Sequence, residues 1–349
     1  ELRNVSEGRA LDHTKPHNTH TVNTTQHRLW CNFIFSHQSH ITSSVCVDSM
    51  RVIINPSSSS SRLRVAARSV NGTGSHHKTM SCIIPDEQVF EYKEQGTIVV
   101  KNLLSGDLLE RAKRSSTALE EKIPVPTFES LAMDAWKQRE DPFLEIATRS
   151  PLVAAARQLI PESREEGLFV LKDAFFKSVG ANQGCGWHVD DKFFWPAAPN
   201  TSGINIWVAL DNVTSDGGGL AVAPGSHTSE FLGARDAIAN GDTCALAQIS
   251  PEWNARLEAM RETPTLQPGD AIIHTRYMFH RSDPFRDGSD AQRGPGVARY
   301  SVRYVPGSTR LDGGFGRVDG EITKLTGTIR DANTNGFHGL FLEVPLSTP

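Results

Sequence analysis

Short strand-like segments dominate the chain from Leu168 to Val305 and restrict its fold more than any other feature. They are brief runs rich in β-branched and aromatic residues, which is typical of β-strands. The predicted strands are Leu168 to Val179, Ile204 to Leu210, Leu220 to Ala223, Ala271 to His274, and Val297 to Val305. One helical insertion, from about Glu230 to Met260, interrupts the series. An all-β core is therefore expected in this part of the 349-residue chain.

Helical patterns precede most of these strands. A first strand is predicted at Gly96 to Leu104. Ser105 then occupies an N-cap position before the helical stretch "GDLLERAKRSSTALEEK", and a second helix is predicted from about Phe128 to Gln138. A third follows Ser150, with Pro151 at the first helical position, where its missing N–H costs nothing. This order predicts an α+β fold, mainly β, in which N-terminal helices brace one face of the β core.

Residues 1–79 differ in composition from the rest. Ser, Thr, Asn and His are abundant, and between His13 and Met80 a single acidic residue, Asp48, stands against seven basic ones. Such a segment buries too little apolar surface to offset its ordering entropy. The Ser- and Arg-rich stretch from Met50 is also typical of organelle transit peptides; the alternatives are plain disorder and translated sequence upstream of a true start at Met50 or Met80. We therefore expect a disordered or transit-like segment at 1–79 and an ordered domain at 80–349.

Charge, hydropathy and cysteine content exclude several classes of protein. The net charge is −4, and the part after Met80 is acidic, so it lacks the concentrated positive charge of a nucleic-acid surface. No apolar run approaches the length needed to span a bilayer. The five cysteines are an odd number without a CxxC pair, which favours a reduced protein over a disulfide scaffold. We expect an intracellular protein of the cytoplasm, or of a mitochondrion or plastid if the N-terminal segment is a transit peptide.

The stretch "GCGWHVDDKFFW" contains His188 and Asp190. Alternate side chains of a strand point to the same face, so these two are expected to project into one pocket. With a distant histidine they would form a 2-His-1-carboxylate facial triad, which leaves three metal positions free for co-substrate and oxygen. Downstream, "LQPGDAIIHTRYMFHRSDPF" offers two candidates for the third ligand, His274 and His280, which share one parity on an unbroken strand.

The alternating stretch "GVARYSVRYVPG" adds a second element of a site. Arg299, Ser301 and Arg303 share one face of the predicted strand, and tyrosines share the other. A buried guanidinium needs an anionic partner, and a dicarboxylate co-substrate would supply one. The alternative is an edge strand on which the arginines face solvent and the tyrosines face the core.

Together these motifs resemble those of the phytanoyl-CoA dioxygenase family. The matching stretches are "WHVDD", "INIWVALDNVTSDGGGLAVAPGSH", "PGDAIIHTRYMFHRSDPF" and "ARYSVRY", in the family's order and at about its spacing. The likeness covers roughly Val89 to Pro306. It implies a jelly-roll core, also called a double-stranded β-helix.

The resemblance also implies a set of site residues. Fe(II) would be bound by His188, Asp190 and His280, with His280 preferred to His274 because its distance from the Pro-Gly-Asp turn matches the family. The distal carboxylate of 2-oxoglutarate would be held by Arg299 and Ser301, with Trp207 packing nearby or simply filling the core. The chain departs from many relatives by an insertion before Arg299, which leaves Arg293 and Arg303 as rivals.

The implied activity is an Fe(II)-, 2-oxoglutarate- and O2-dependent dioxygenase that hydroxylates a small organic or lipid-like molecule and releases succinate and CO2. The carboxylate ligand Asp190 disfavours halogenation, because related halogenases lack it. An acyl-CoA, a lipid, a terpenoid and an amino-acid derivative are all compatible substrates. The alternatives are a cupin-like metal-dependent isomerase or hydrolase and a catalytically silent jelly-roll binding domain.

Overall fold

The computed structural model describes residues 83–122, 129–133, 142–180, 185–190, 195, 197, 201–239, 244–311, 315–318, 321–334 and 341–346. The segment 1–79, predicted to be disordered or transit-like, lies outside the described residues. All described residues fall within the predicted domain 80–349.

Five of the described helices precede the long run of strands from β3 (Leu168–Ser178) onward, and a helical insertion (α6 to α8, residues 232–259) interrupts that run. Within the described residues the helices are α1 (Asp86–Gln95), α2 (Gly106–Lys122), α3 (Phe143–Arg149), α4 (Pro151–Leu159), α5 (Ser163–Glu166), α6 (Leu232–Ala239), α7 (Leu246–Ile249), α8 (Pro251–Ala259), α9 (Asp290–Arg293) and α10 (Ile329–Thr334). The strands are β1 (Thr97–Val100), β2 (Glu129–Met133), β3 (Leu168–Ser178), β4 (Ile204–Ala209), β5 (Leu220–Val222), β6 (Ala271–Thr275), β7 (His280–Ser282), β8 (Val297–Pro306), β9 (Phe315–Val318), β10 (Glu321–Lys324) and β11 (Leu342–Val344). A 3₁₀ turn, Ser229–Phe231, leads into α6.

The strands form two facing sheets. The large sheet has the order β1-β6-β4-β8-β3-β11, and β2 also pairs with β3. The smaller sheet pairs β5 with β7, and β9 and β10 form a separate hairpin. Every pairing between described strands is antiparallel. This is a jelly-roll core with helices on one side, so the predicted α+β, mainly β, fold is confirmed.

The outer face of the large sheet packs against the N-terminal helices. Ile146 of α3 and Leu152 of α4 are fully buried in one apolar cluster with Ile206 and Val302 of the sheet. Burying a side chain of this size stabilises a fold by roughly 2 kcal/mol. Helix α4 begins as predicted, because the side chain of Ser150 accepts a hydrogen bond from the Leu152 N–H at 3.2 Å.

Two further apolar clusters position the functional region. One lies between the sheets and includes Trp207, Ile272 and Met278. The other packs the helical insertion (α6 to α8) against the smaller sheet and includes Trp187 and Phe279. Among the described residues, no helix combines the length and apolarity needed to cross a bilayer.

The predicted helix at 128–138 is wrong where it can be checked. Residues Glu129–Met133 form strand β2, antiparallel to β3, and the other residues of that prediction lie outside the described ranges. Pairing along the long strand β3 is a non-local interaction, and tertiary context of this kind overrides local helix propensity.

The expectation of reduced cysteines is also wrong for one pair. Cys185 and Cys244 form a disulfide that joins the segment before His188 to the helical insertion, 59 residues away in sequence. The odd number of cysteines in the chain could not reveal this pair, because only the fold brings the two side chains together.

Candidate metal centre

His188 and Asp190 lie on the short segment 185–190, which is not a regular strand. His188 forms an isolated antiparallel bridge with His280, with both backbone N–H···O hydrogen bonds at 2.9 Å. The bridge aligns the two histidines side by side, and their ring centroids are 4.4 Å apart. The predicted strand is thus reduced to one bridge, which still brings His188 to the same place as the third candidate ligand.

Three ligand atoms converge at this bridge. One nitrogen each from His188 and His280 and one oxygen of Asp190 lie within 4.8 Å of one another. The Nε2 atom of His280 is 3.7 Å from Oδ1 of Asp190. Asp190 and His280 are 7% and 5% exposed and His188 is partly exposed, so two of the three candidate ligands are sheltered from bulk water.

Hydrogen bonds orient both imidazole rings. Nδ1 of His188 lies 2.7 Å from the carbonyl oxygen of Gly186, and Nδ1 of His280 lies 3.0 Å from that of Met278. A carbonyl can only accept, so each Nδ1 carries the proton and each Nε2 presents a lone pair. Rings held in this way are typical of histidine ligands to metals. Two imidazole nitrogens and a carboxylate oxygen are the donors of a facial triad, so these residues fit a ferrous ion.

The protonation states suit metal binding. Burial, followed by the neighbouring His188 and His274, lowers the pKa of His280 well below its ordinary value, which keeps the ring neutral. Burial alone would raise the pKa of Asp190, but the charge of Arg303 and its hydrogen bond to the carboxylate outweigh burial and hold that pKa below its usual range. A neutral imidazole and an ionised carboxylate are the forms that bind a cation.

His274, the other candidate for the third ligand, lies fully buried on β6. Its Nδ1 is 2.8 Å from the carbonyl oxygen of Thr275, and its Nε2 is 2.9 Å from Nδ2 of Asn205. Both ring nitrogens are therefore engaged in hydrogen bonds. The turn between β6 and β7 also breaks the single strand on which the two histidines would have been equivalent.

Arg293 and Arg303 each contact a carboxylate of the protein. The Arg293 side chain is 62% exposed on α9 and pairs with Asp290 at 2.5 Å. Arg303 is buried on β8, and its Nε donates to Oδ2 of Asp190 at 2.8 Å. Arg303 thus contacts the candidate metal ligand itself.

Arg299, the third candidate, is 3% exposed near the start of β8. It donates a hydrogen bond to the hydroxyl of Ser178. Its guanidinium carbon lies 5.1 Å from the ring centroid of Phe176 and 5.9 Å from that of Trp207. Trp207 is buried in the cluster between the sheets, so it fills the core and also flanks Arg299.

Ser301 lies between the two buried arginines and opposite Trp207 in the strand register. Its hydroxyl donates to Oδ1 of Asn205 at 2.7 Å. Sequence reasoning did not identify Asn205 or the contact between Arg303 and Asp190. The available signals were the polar Asn205 within the apolar stretch "INIWVAL" and the shared parity of Arg299 and Arg303.

The sequence model of the phytanoyl-CoA dioxygenase family (PhyH) matches residues 92–293, more than half of the chain. Among solved structures, the chain is similar to the non-heme α-ketoglutarate-dependent epimerase SnoN from nogalamycin biosynthesis, with a TM-score of 0.53 and 19% identity over 69% of this chain and 92% of SnoN. The chain is also similar to the α-ketoglutarate-dependent carbocyclase SnoK from nogalamycin biosynthesis, with a TM-score of 0.53 and 18% identity over 75% of this chain and 97% of SnoK. For EctD from S. alaskensis, crystallised with 2-oxoglutarate and 5-hydroxyectoine, the TM-score is 0.50 and the identity 18%, over 66% of this chain and 79% of EctD. At these identities the likeness to solved structures establishes a shared fold.

Proposed function

This chain belongs to the phytanoyl-CoA dioxygenase family, and we propose that it is an Fe(II)- and 2-oxoglutarate-dependent dioxygenase that oxidises a small organic or lipid-like substrate. The observation that carries the proposal is the convergence of His188, Asp190 and His280, whose ligand atoms lie within 4.8 Å of one another. Three protein ligands on one face of a metal leave room for a bidentate co-substrate and O2.

We assign the distal carboxylate of 2-oxoglutarate to Arg299. Arg293 lies on the surface beside Asp290, and Arg303 is bonded to Asp190. Arg299 is buried on the same face of β8 as Arg303 and lies against Trp207. A guanidinium in this position can form two parallel, charge-assisted hydrogen bonds with a carboxylate.

The protein and its cofactors divide the work. Bound iron, 2-oxoglutarate and O2 supply the oxidising chemistry, with succinate and CO2 as co-products. His188, Asp190 and His280 fix the metal position, and Arg299 neutralises and orients the co-substrate. The apolar cluster around Trp207 and Met278 limits the access of water to the inner side of the large sheet.

Succinate formation from 2-oxoglutarate tests the proposal without knowledge of the substrate. The purified protein should form succinate in a reaction that needs Fe(II) and O2, stops on chelation with EDTA and resumes when Fe(II) is restored. Asp190→Ala should abolish it, because the proposed triad loses its carboxylate. The control is Asp290→Ala, which removes a carboxylate that is 99% exposed on α9 and should leave the rate unchanged.

The outcomes separate the alternative functions. Persistence of succinate formation in the Asp190→Ala protein would remove the metal assignment. Tight binding of Fe(II) without consumption of 2-oxoglutarate would favour a cupin-like isomerase or hydrolase. Binding of neither would leave a silent jelly-roll domain. The substrate class would then be identified by screening acyl-CoA, lipid, terpenoid and amino-acid compounds for those that stimulate 2-oxoglutarate consumption.

A further inference from the structure

The inner face of the large sheet carries a continuous chain of buried hydrogen bonds that ends on Asp190. Nη1 of Arg303 donates to Oγ of Ser301 at 3.4 Å, Ser301 donates to Oδ1 of Asn205 at 2.7 Å, and Nδ2 of Asn205 donates to Nε2 of His274 at 2.9 Å. His274 then donates from Nδ1 to the Thr275 carbonyl. The second arm of Arg303, its Nε, donates to Oδ2 of Asp190.

Every group in this chain of hydrogen bonds acts as a donor or acceptor in a way that its chemistry permits. The donors all point away from Arg303, toward β4 and then β6, so no two protons and no two lone pairs face each other. The four side chains lie on three adjacent strands and none is more than 2% exposed, so solvent does not compete for these bonds. Buried chains with matched polarity strengthen their members and fix their orientation.

From this chain we infer that Arg303 is a positioning residue for the metal ligand Asp190, held in place by Ser301, Asn205 and His274. With Oδ2 bonded to Nε of Arg303, Oδ1 is the oxygen that faces His280. Asp190 would therefore present Oδ1 to a bound metal. The inference rests on the metal site of the proposed function but not on the oxidation that the site performs.

The same geometry gives Ser301 a role different from the one that the family resemblance implies. A hydroxyl has one proton, and that of Ser301 is donated to Asn205. Since a carboxylate can only accept, Ser301 cannot keep this bond and also donate to 2-oxoglutarate. Ser301 acts on the metal site through Arg303, and Arg299 alone of this trio serves the co-substrate.

Titration of the metal-free protein with Co(II), followed by the visible absorption of the bound ion, tests these roles without any turnover. Arg303→Lys keeps the charge but loses the planar pair of donors, and it should weaken Co(II) binding by about 10- to 100-fold, as loss of a group that orients a ligand typically does. The visible spectrum should also change, because Oδ2 of Asp190 becomes available to the metal.

The matched control is Arg299→Lys, the same change on the same strand, face and degree of burial. It should leave Co(II) affinity within about twofold and instead raise the 2-oxoglutarate concentration needed for half-maximal succinate formation. Ser301→Ala is the milder variant that carries the test if Arg303→Lys does not fold. It should weaken Co(II) binding by about three- to tenfold and leave the 2-oxoglutarate requirement within about twofold.

Two results would overturn the inference. One is wild-type Co(II) affinity in Arg303→Lys together with a raised 2-oxoglutarate requirement, which would make Arg303 the co-substrate arginine. The other is unchanged Co(II) affinity in Ser301→Ala. If wild-type protein binds Co(II) with the expected dependence on Arg303 but forms no succinate, the positioning role stands and the dioxygenase function fails. If wild-type protein does not bind Co(II), both fall.

Discussion

Strand β8 has two faces that are equally buried and chemically opposite. Its side chains alternate between Tyr300, Val302 and Tyr304 on the outer face and Arg299, Ser301 and Arg303 on the inner face, and none of the six is more than 3% exposed. The outer side chains pack against the N-terminal helices, and their two hydroxyls donate to fixed acceptors of the protein. The inner side chains are charged or polar and lie beside the candidate metal ligands.

The difference between the faces shows how one strand serves both stability and function. On the outer face, apolar packing and the Tyr304 hydroxyl fasten the sheet to its helices, and the Tyr300 hydroxyl bonds to Asp173 of the neighbouring strand β3. On the inner face, burying two guanidinium groups is costly, and the cost is offset where a carboxylate is at hand. Asp190 is one such carboxylate for Arg303, and we propose that 2-oxoglutarate provides one for Arg299. Substitutions on the inner face should therefore alter ligand binding, and those on the outer face should alter stability.

The largest effect is expected for Arg299→Met on the inner face. It removes two charge-assisted hydrogen bonds to the proposed co-substrate, so half-maximal succinate formation should need about 100-fold more 2-oxoglutarate, or higher. Arg293→Met makes the same chemical change on the surface and should leave that requirement unchanged. A raised requirement in the Arg293 variant alone would transfer the co-substrate site to α9 and end the functional division between the two faces.

A smaller effect, on stability alone, is expected for Tyr300→Phe on the outer face. The Tyr300 hydroxyl donates to Oδ2 of the fully buried Asp173 at 2.6 Å. Loss of a hydrogen bond to a buried carboxylate should lower the free energy of unfolding by about 2 kcal/mol, as measured by urea denaturation. Affinity for Co(II) and for 2-oxoglutarate should not change.

Tyr304→Phe is the matched comparison for this variant. The Tyr304 hydroxyl donates to the neutral carbonyl oxygen of Ala147 at 2.9 Å, so its loss should lower the free energy of unfolding by only about 1 kcal/mol. Equal losses in the two variants would show that the charge of Asp173 does not strengthen the Tyr300 hydrogen bond. A loss of metal affinity in either would show that the two faces are coupled.

The sequence predicted most strands of this sheet, because their signal is local, but it predicted a helix in place of β2 and did not predict β11. Strand β8 runs from Val297 to Pro306 and was predicted from Val297 to Val305. Its alternation correctly separated arginines from tyrosines but could not show that both faces are buried. The alternative of an edge strand with exposed arginines is wrong, because β8 lies between β4 and β3 in the sheet.

The candidate metal centre was predictable in its residue types and not in its geometry. The motif around His188 and Asp190, with His280, indicated the group that the fold brings together. The contact of Arg303 with Asp190 spans 113 residues, and that of Cys185 with Cys244 spans 59. Neither separation leaves a periodic pattern in the sequence, because such contacts depend on how the strands and the insertion pack.

The smallest effect is expected in the layer that braces the outer face. Ser150 caps α4, and its Ser150→Ala variant loses the bond to the Leu152 N–H, which should lower the free energy of unfolding by about 1 kcal/mol. Ser289 caps the single-turn helix α9 through the Gln292 N–H in the same way, but α9 buries none of its side chains. Ser289→Ala should therefore cost less, about 0.5 kcal/mol. Urea denaturation of both variants measures the difference, and a larger loss for Ser289 would contradict the view that the helices fastened to the outer face carry the stability of the fold.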